Sequence, residues 1–166
     1  MRVDTTKKGE QMVPRRIVVA SDGSEPSLAA EAFAADMASL MTATGGEMEL
    51  VVCMVVRPRD APAERGAFAL WPLSDEEFDD AVATVNQAAE RVSGLVNSAG
   101  TVHVKPLLVE TRRPAEGIVE AAHGEGGCSL IVMGNRGHGG FASMMLGSVS
   151  QQVLHEAHCP VVVVKS

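Results

Sequence analysis

An α/β domain, with a parallel sheet covered by helices on both faces, is the fold class that this sequence predicts. Three observations lead there. Short apolar runs rich in Val and Ile recur along the chain, segments with apolar residues at three- and four-residue steps lie between them, and the second run is apolar nearly throughout rather than alternating. Strands that alternate with helices close into a parallel sheet with right-handed crossovers.

The first strand is expected at Arg16 to Ala20 and ends in Ser21-Asp22-Gly23-Ser24. That turn places a carboxylate at the strand's C-terminal end, the binding edge of open α/β sheets. Ser24 is the expected N-cap of the first helix, with Pro26 tolerated in its first turn. Leu28, Ala32, Phe33, Met37 and Leu40 form its apolar stripe, and Gly45-Gly46 stops it. The second strand runs from Met48 to Val56. Residues 57–73 then break the pattern with Pro58, Pro62, Gly66 and Pro72 and the only Trp, Trp71. A connection this long is functional or disordered more often than not, and Phe68 and Trp71 either fold back on the core or form a partner patch.

Ser74-Asp75-Glu76-Glu77 reads as a capping box opening a long helix. Phe78, Val82, Val85, Ala89, Val92 and Val96 carry its apolar face, and Gly100 is expected to end it. A third strand covers about Val102 to Val109. Arg112-Arg113-Pro114 opens a short helix through Ile118, Val119 and Ala122, closed by Gly124, Gly126 and Gly127. The fourth strand is Ser129 to Met133, a helix follows from Ser148 to Ala157, and the fifth strand is Val161 to Val164. No repeat is visible.

The totals exclude several classes. A chain of 166 residues is one ordinary domain. Residues 1–14 read as a flexible polar tail and 15–166 as the domain. The net charge of −7 opposes nonspecific attraction to nucleic acid, and aromatics, at 3%, are too few for base stacking. Nucleic acid is therefore not an expected partner. No apolar run approaches the roughly 18 residues of a membrane span, so no membrane association is expected. The three cysteines, Cys53, Cys128 and Cys159, have no CxxC spacing. Reduced thiols and a cytoplasmic location are the corresponding expectation.

The chemistry concentrates in Met133-Gly134-Asn135-Arg136-Gly137-His138-Gly139-Gly140 and in Leu146-Gly147-Ser148. Four glycines fall within seven residues between a strand and a helix start. Ser148 is a suitable N-cap, and the unpaired amides after it, with the positive end of the helix dipole, are the ingredients of a phosphate site. A Walker A loop would need a Gly-Lys-Ser/Thr ending, which is absent. A Rossmann fingerprint forced onto Gly137 to Ala142 falls near the chain's end instead of after the first strand.

What remains is Gly134, two residues, Gly137, nine residues, then Gly147-Ser148. This pattern resembles the ATP-binding signature of the universal stress protein family. The resemblance covers about Arg15 to Lys165, with Ile17 to Ser24 similar to that family's first strand and turn and Cys159 to Val164 similar to its last strand. It implies an adenine nucleotide alpha hydrolase-like, Rossmann-like fold of five parallel strands in the order 3-2-1-4-5. Strands 1 and 4 would then flank a switch-point crevice.

Carried over by position, the resemblance implies that Ala20 and Ser21 line the nucleoside side and that Asp22 bonds the adenosine moiety. Val55 would meet the adenine edge. Met133, Gly134 and Gly137 would follow the ribose and phosphates, and Gly147, Ser148, Val149 and Ser150 would cradle the terminal phosphates through amides and hydroxyls. Arg136 and His138 suit phosphate by charge, although the family pattern leaves both positions variable and a solvated loop explains them equally. His155, His158 and Cys159 are better explained by the helix dipole than by a metal, and Lys105 and Glu110 read as surface residues without a recognisable partner.

The resemblance implies ATP as ligand, with Mg²⁺ accompanying its phosphates, or AMP or cyclic AMP in its place. It further implies a stress-responsive regulator with little or no catalysis. The alternatives are a slow ATP hydrolase and an interaction dimer acting through the 57–73 loop and last strand. A homodimer paired through Val161 to Val164 is expected in either case, because a bare apolar edge strand invites aggregation. Two departures from the family pattern are Cys128-Ser129 in place of Ala-Asp and the proline-rich connection after strand 2.

Overall fold

The structure, a computed structural model, describes residues 15–60, 72–123, 129–137 and 146–165. Nine elements follow in strict alternation: β1 (Arg16–Ala20), α1 (Glu25–Met41), β2 (Glu47–Val56), α2 (Asp75–Leu95), β3 (Thr101–Glu110), α3 (Pro114–Ala122), β4 (Ser129–Gly134), α4 (Ser148–Glu156) and β5 (Val161–Val164). All strand pairs are parallel, and the sheet order is β3-β2-β1-β4-β5. The expected order is thus found. Ile17, Val18 and Val19 in the central strand are fully buried, as a strand covered on both faces requires.

Each face of the sheet has its own core. On one, Ile17, Val19, Leu50, Val52 and Val132 pack against α1 and α2 through Ala30, Ala34, Val85, Ala88 and Val92. On the other, Val18, Val51, Cys53 and Ile131 meet Ala115, Ile118, Val119 and Ala122 of α3 and Val153 of α4. Alternate residues of one strand therefore serve opposite cores, the period-2 geometry of a pleated strand.

Helix α1 corrects the expected stripe. Leu28, Phe33 and Leu40 are exposed, Leu40 to 71%, whereas the inward face is Ser27, Ala30, Glu31, Ala34, Ala35 and Ala38. Small side chains let this helix lie close to the sheet. Ser24 does stand at the N-cap, but its hydroxyl does not cap the helix; it donates to Asp22 Oδ1. The box at α2 is fully formed: Glu77 N–H donates to Ser74 Oγ at 3.2 Å and Ser74 N–H donates to Glu77 Oε2 at 2.8 Å. Its far end departs from expectation, because α2 stops at Leu95, where Val96 turns extended. Gly100 serves packing instead, since a Cβ there would lie 2.6 Å from the Thr42 carbonyl oxygen.

Lys105 and Glu110 are exposed, as expected, and both have partners. Lys105 Nζ reaches Glu49 Oε1 at 2.6 Å, and Arg59 Nη2 reaches Glu110 Oε1 at 3.2 Å while its guanidinium lies 3.7 Å from the Phe78 ring centroid. The 1–14 tail, the glycines at 124, 126 and 127, and Phe68 and Trp71 lie outside the described residues.

Candidate functional site

Strand β1 hydrogen-bonds β2 on one side and β4 on the other, and the chain leaves β1 and β4 toward opposite faces, into α1 and α4. At the carboxyl ends of β1 and β4 the departing connections leave a gap. A cavity of about 500 Å³ occupies it, within the usual range for small-molecule sites.

The β1 side of this cavity is Ala20, Ser21 and Asp22. Ser21 N–H donates to Cys53 O at 2.9 Å, which extends the sheet pairing one residue past the strand. Asp22 Oδ1 accepts from Ser24 N–H at 3.0 Å and from the Ser24 hydroxyl, holding the turn in shape. Gly23 follows at φ 80°, a left-handed conformation suited to glycine. Across the gap stands Gly137, where a Cβ would come 2.5 Å from Asp22 Oδ2. A side chain at that position would make the end of the Asp22 side chain turn aside.

The β4 side is tied together by backbone bonds. Asn135 N–H donates to Val164 O at 2.9 Å and Gly147 N–H donates to Asn135 O at 2.8 Å, so the end of β4 is joined to β5 and to the start of α4. The N-cap of α4 is Gly147, one position before the Ser148 that the sequence suggested, and Ser148 is the first helical residue. The earliest intrahelical bond is from Gln151 N–H to Gly147 O, at 3.0 Å. The amides of Ser148, Val149 and Ser150 therefore have no acceptor inside the helix and mark its positive end at the cavity. The Ser150 hydroxyl is already engaged, donating to Gly134 O at 3.0 Å, so this residue offers a ligand its amide.

Gly134 is constrained by packing as well. A Cβ there would meet the Pro26 carbonyl carbon and oxygen at 2.8 Å, so α1 itself requires this glycine, independently of any ligand. Gly147 has more room, its nearest neighbour, Arg136 Cα, lying 3.5 Å from the position of a Cβ.

Ala20, Ser21, Asp22, Val55, Met133, Gly134, Arg136, Gly137, Gly147, Ser148, Val149 and Ser150 all border the one cavity. His138 lies outside the described residues. Four further lining residues, Ser27, Cys53, Pro114 and Ile118, were not foreseen. The α3 pair had no motif to reveal it. It comes close because Gly117 lets that helix settle on β2 and β3, a Cβ there meeting Thr111 Cγ2 at 2.9 Å and Val109 Cγ1 at 3.1 Å. Burial pushes the Cys53 thiol up to about 12, so it acts as an apolar wall. Beyond the cavity, His123 and His158 stack with centroids 5.9 Å apart.

Fold and cavity together define a doubly wound α/β domain with a switch-point pocket that joins a carboxylate-bearing turn to a helix N-terminus. Residues 14–165 match the model of the universal stress protein family. The chain belongs to that family. A universal stress protein of Methanocaldococcus jannaschii is 34% identical over 160 residues, covering 96% of this chain and 86% of its own. The universal stress protein from Archaeoglobus fulgidus in complex with dAMP has a TM-score of 0.61 at 23% identity, covering 93% of this chain and 99% of its own. A universal stress protein in complex with cAMP has a TM-score of 0.60 at 22% identity, covering 92% and 97%. No helix among the described residues is long and apolar enough to cross a membrane.

Proposed function

We propose that this protein binds an adenine nucleotide, ATP first among them, in the switch-point cavity, and acts as a stress-response or signalling regulator with little or no catalysis. The observation that carries this reading is the polarity of the cavity. Unpaired amides of Ser148, Val149 and Ser150 stand on one side, suited to phosphate oxygens, and Asp22 stands on the other, suited to sugar hydroxyls. The apolar walls from Val55, Cys53 and Ile118 suit a base between them. Two structures of the same fold contain cAMP and dAMP, which supports an adenine nucleotide and leaves AMP and cyclic AMP as competitors of ATP.

Asp22 is the carboxylate that borders the cavity among the described residues, so Mg²⁺ would enter mainly on the phosphates of ATP. Arg136, half-buried at the mouth, is placed to add charge to that end, and His138 is the remaining candidate. A homodimer in the cytoplasm, paired through β5, completes the proposal. Its four valines are half-buried and the strand is outermost in the sheet, which leaves one row of backbone groups for a second copy.

Calorimetric titration with ATP, ADP, AMP and cyclic AMP, with and without Mg²⁺, tests the nucleotide reading. Saturable micromolar binding at one site per chain is expected, and no heat with any of the four would overturn it. Turnover of ATP that disappears in Asp22→Ala would make the protein a hydrolase instead. Light scattering at micromolar concentration tests the dimer, and a monomer mass would remove it.

A further inference from the structure

Glu31 is the feature of the core that the proposed site does not use. It lies on the inward face of α1 and is 1% exposed. A buried carboxylate needs hydrogen-bond partners, and this one has two kinds. Arg91, on α2, forks onto it, with Nε donating to Oε2 at 2.8 Å and Nη2 to Oε1 at 3.0 Å. Arg91 is raised in pKa above its ordinary value by those bonds, and its side chain is 42% exposed, so the pair runs from the surface into the core. At the inner end the Ser21 hydroxyl donates to Glu31 Oε1 at 2.6 Å. Ser21, 5% exposed, borders the cavity.

A serine hydroxyl has one proton and two lone pairs. The carboxylate takes that proton in a short charge-assisted bond. The neighbouring Ser27 hydroxyl directs its own proton elsewhere, to Ser24 O at 2.8 Å, and lies 3.5 Å from Ser21 Oγ. Gly23 N–H donates weakly to Ser21 Oγ at 3.4 Å. What Ser21 retains for a ligand is therefore acceptor capacity. Without Glu31 the hydroxyl would rotate freely and could present its proton as readily as a lone pair.

We propose that Glu31, clamped by Arg91, is a positioning residue for the candidate site, accepting the Ser21 hydrogen bond so that the hydroxyl oxygen turns its lone pairs to a donor, such as a sugar hydroxyl, on the nucleoside side of the ligand. The proposal deepens the nucleotide reading and rests on it for the identity of the ligand. By fixing the Ser21 oxygen that accepts from Gly23 N–H, Glu31 also steadies the turn, and that effect is independent of any ligand.

The test uses the full chain in four forms: wild type, Ser21→Ala, Glu31→Gln and the double variant, with Ser21→Thr as the conservative control. AMP is titrated into each, and amide hydrogen exchange of residues 21–24 is followed without ligand. Ser21→Ala and Glu31→Gln should each weaken AMP about five- to tenfold, the worth of one neutral hydrogen bond. The double variant should lose no more than either, because both act through one hydroxyl, and Ser21→Thr, which keeps the hydroxyl, should lose less than Ser21→Ala. Exchange at residues 21–24 should accelerate in Glu31→Gln. A purely structural Glu31 would lower the melting temperature and leave the AMP affinity of the folded variant unchanged, which overturns the proposal, as would losses that multiply in the double variant. If wild type takes up no AMP, ATP replaces it as the probe; if it takes up neither, the nucleotide reading falls, and unchanged exchange in Glu31→Gln would then sink the positioning role separately.

Discussion

Gly134, the last residue of β4, lies against the backbone of Pro26 so closely that a Cβ would approach the Pro26 carbonyl carbon and oxygen to 2.8 Å. Backbone yields less readily than a side chain, so α1 would have to shift. Gly134→Ala is expected to destabilise the fold by about 1–3 kcal/mol, the usual range for overpacking. Urea unfolding at pH 7 measures it, and a midpoint equal to wild type would show that α1 adjusts freely.

Gly147 should behave in the opposite way. Its φ of −75° is open to any residue, and a Cβ has room in the unliganded protein. Gly147→Ala is expected to stay within about 1 kcal/mol of wild-type stability, the difference being its weaker N-cap. Its ATP affinity should fall more than tenfold, because the methyl would stand where phosphate must meet the amides. Unchanged affinity would place the phosphates elsewhere.

The two cysteines in the described residues should differ in reactivity. Cys53 is buried with its thiol pushed up to about 12, and Cys159 is half-buried. At pH 8 almost none of Cys53 is thiolate, and the thiolate is the nucleophile. Iodoacetamide on the native protein, followed by peptide mass analysis, should modify Cys159 well before Cys53. Equal labelling would mean that the sheet opens on the timescale of the reaction.

Glu49 accepts a hydrogen bond from Lys105 Nζ at 2.6 Å and forms an ion pair with Arg16, whose Nε lies 2.9 Å from Oε2. The Lys105 hydrogen bond, opposed by burial and helped by the Arg16 charge, holds its carboxyl below the usual range. A carboxyl lowered on folding stabilises above its unfolded value, near about pH 4.3, and that contribution is lost as pH falls through the lower folded value. Lys105→Met should therefore lose up to about 1 kcal/mol at pH 7. The difference from wild type should shrink when unfolding is repeated near pH 3, and a difference that grew on acidification would contradict the pairing.

The strands and the switch point were legible because β-branched runs and turn residues are local signals, and the family resemblance supplied the sheet order that such signals lack. The α2 capping box was legible for the same local reason. Helix α1 was not. Its large apolar residues and its alanines both repeat at helical spacing, so periodicity could not tell which stripe faces the sheet, and close packing selected the alanines. Glu31 carries no local signal in the sequence, because its partner, Arg91, is 60 positions away. Ile118 and Pro114 entered the cavity wall through helix packing, which leaves no motif. The candidate residues from Ala20 to Ser150 that fall in the described chain border one cavity, since glycine spacing and a strand-end acid report the backbone geometry that makes a pocket.

β1 is the middle strand of the sheet and the first to be synthesised. Its partner on one side, β2, follows directly, but its partner on the other, β4, emerges only after β3 and α3. Until then the turn at Ser21 and Asp22 has no opposite wall. Before residue 129 is available only the β3-β2-β1 half of the sheet can pair, and its binding edge is incomplete. A ligand in the cavity would thus join the strand that opens the domain to segments that follow it by half of the sheet.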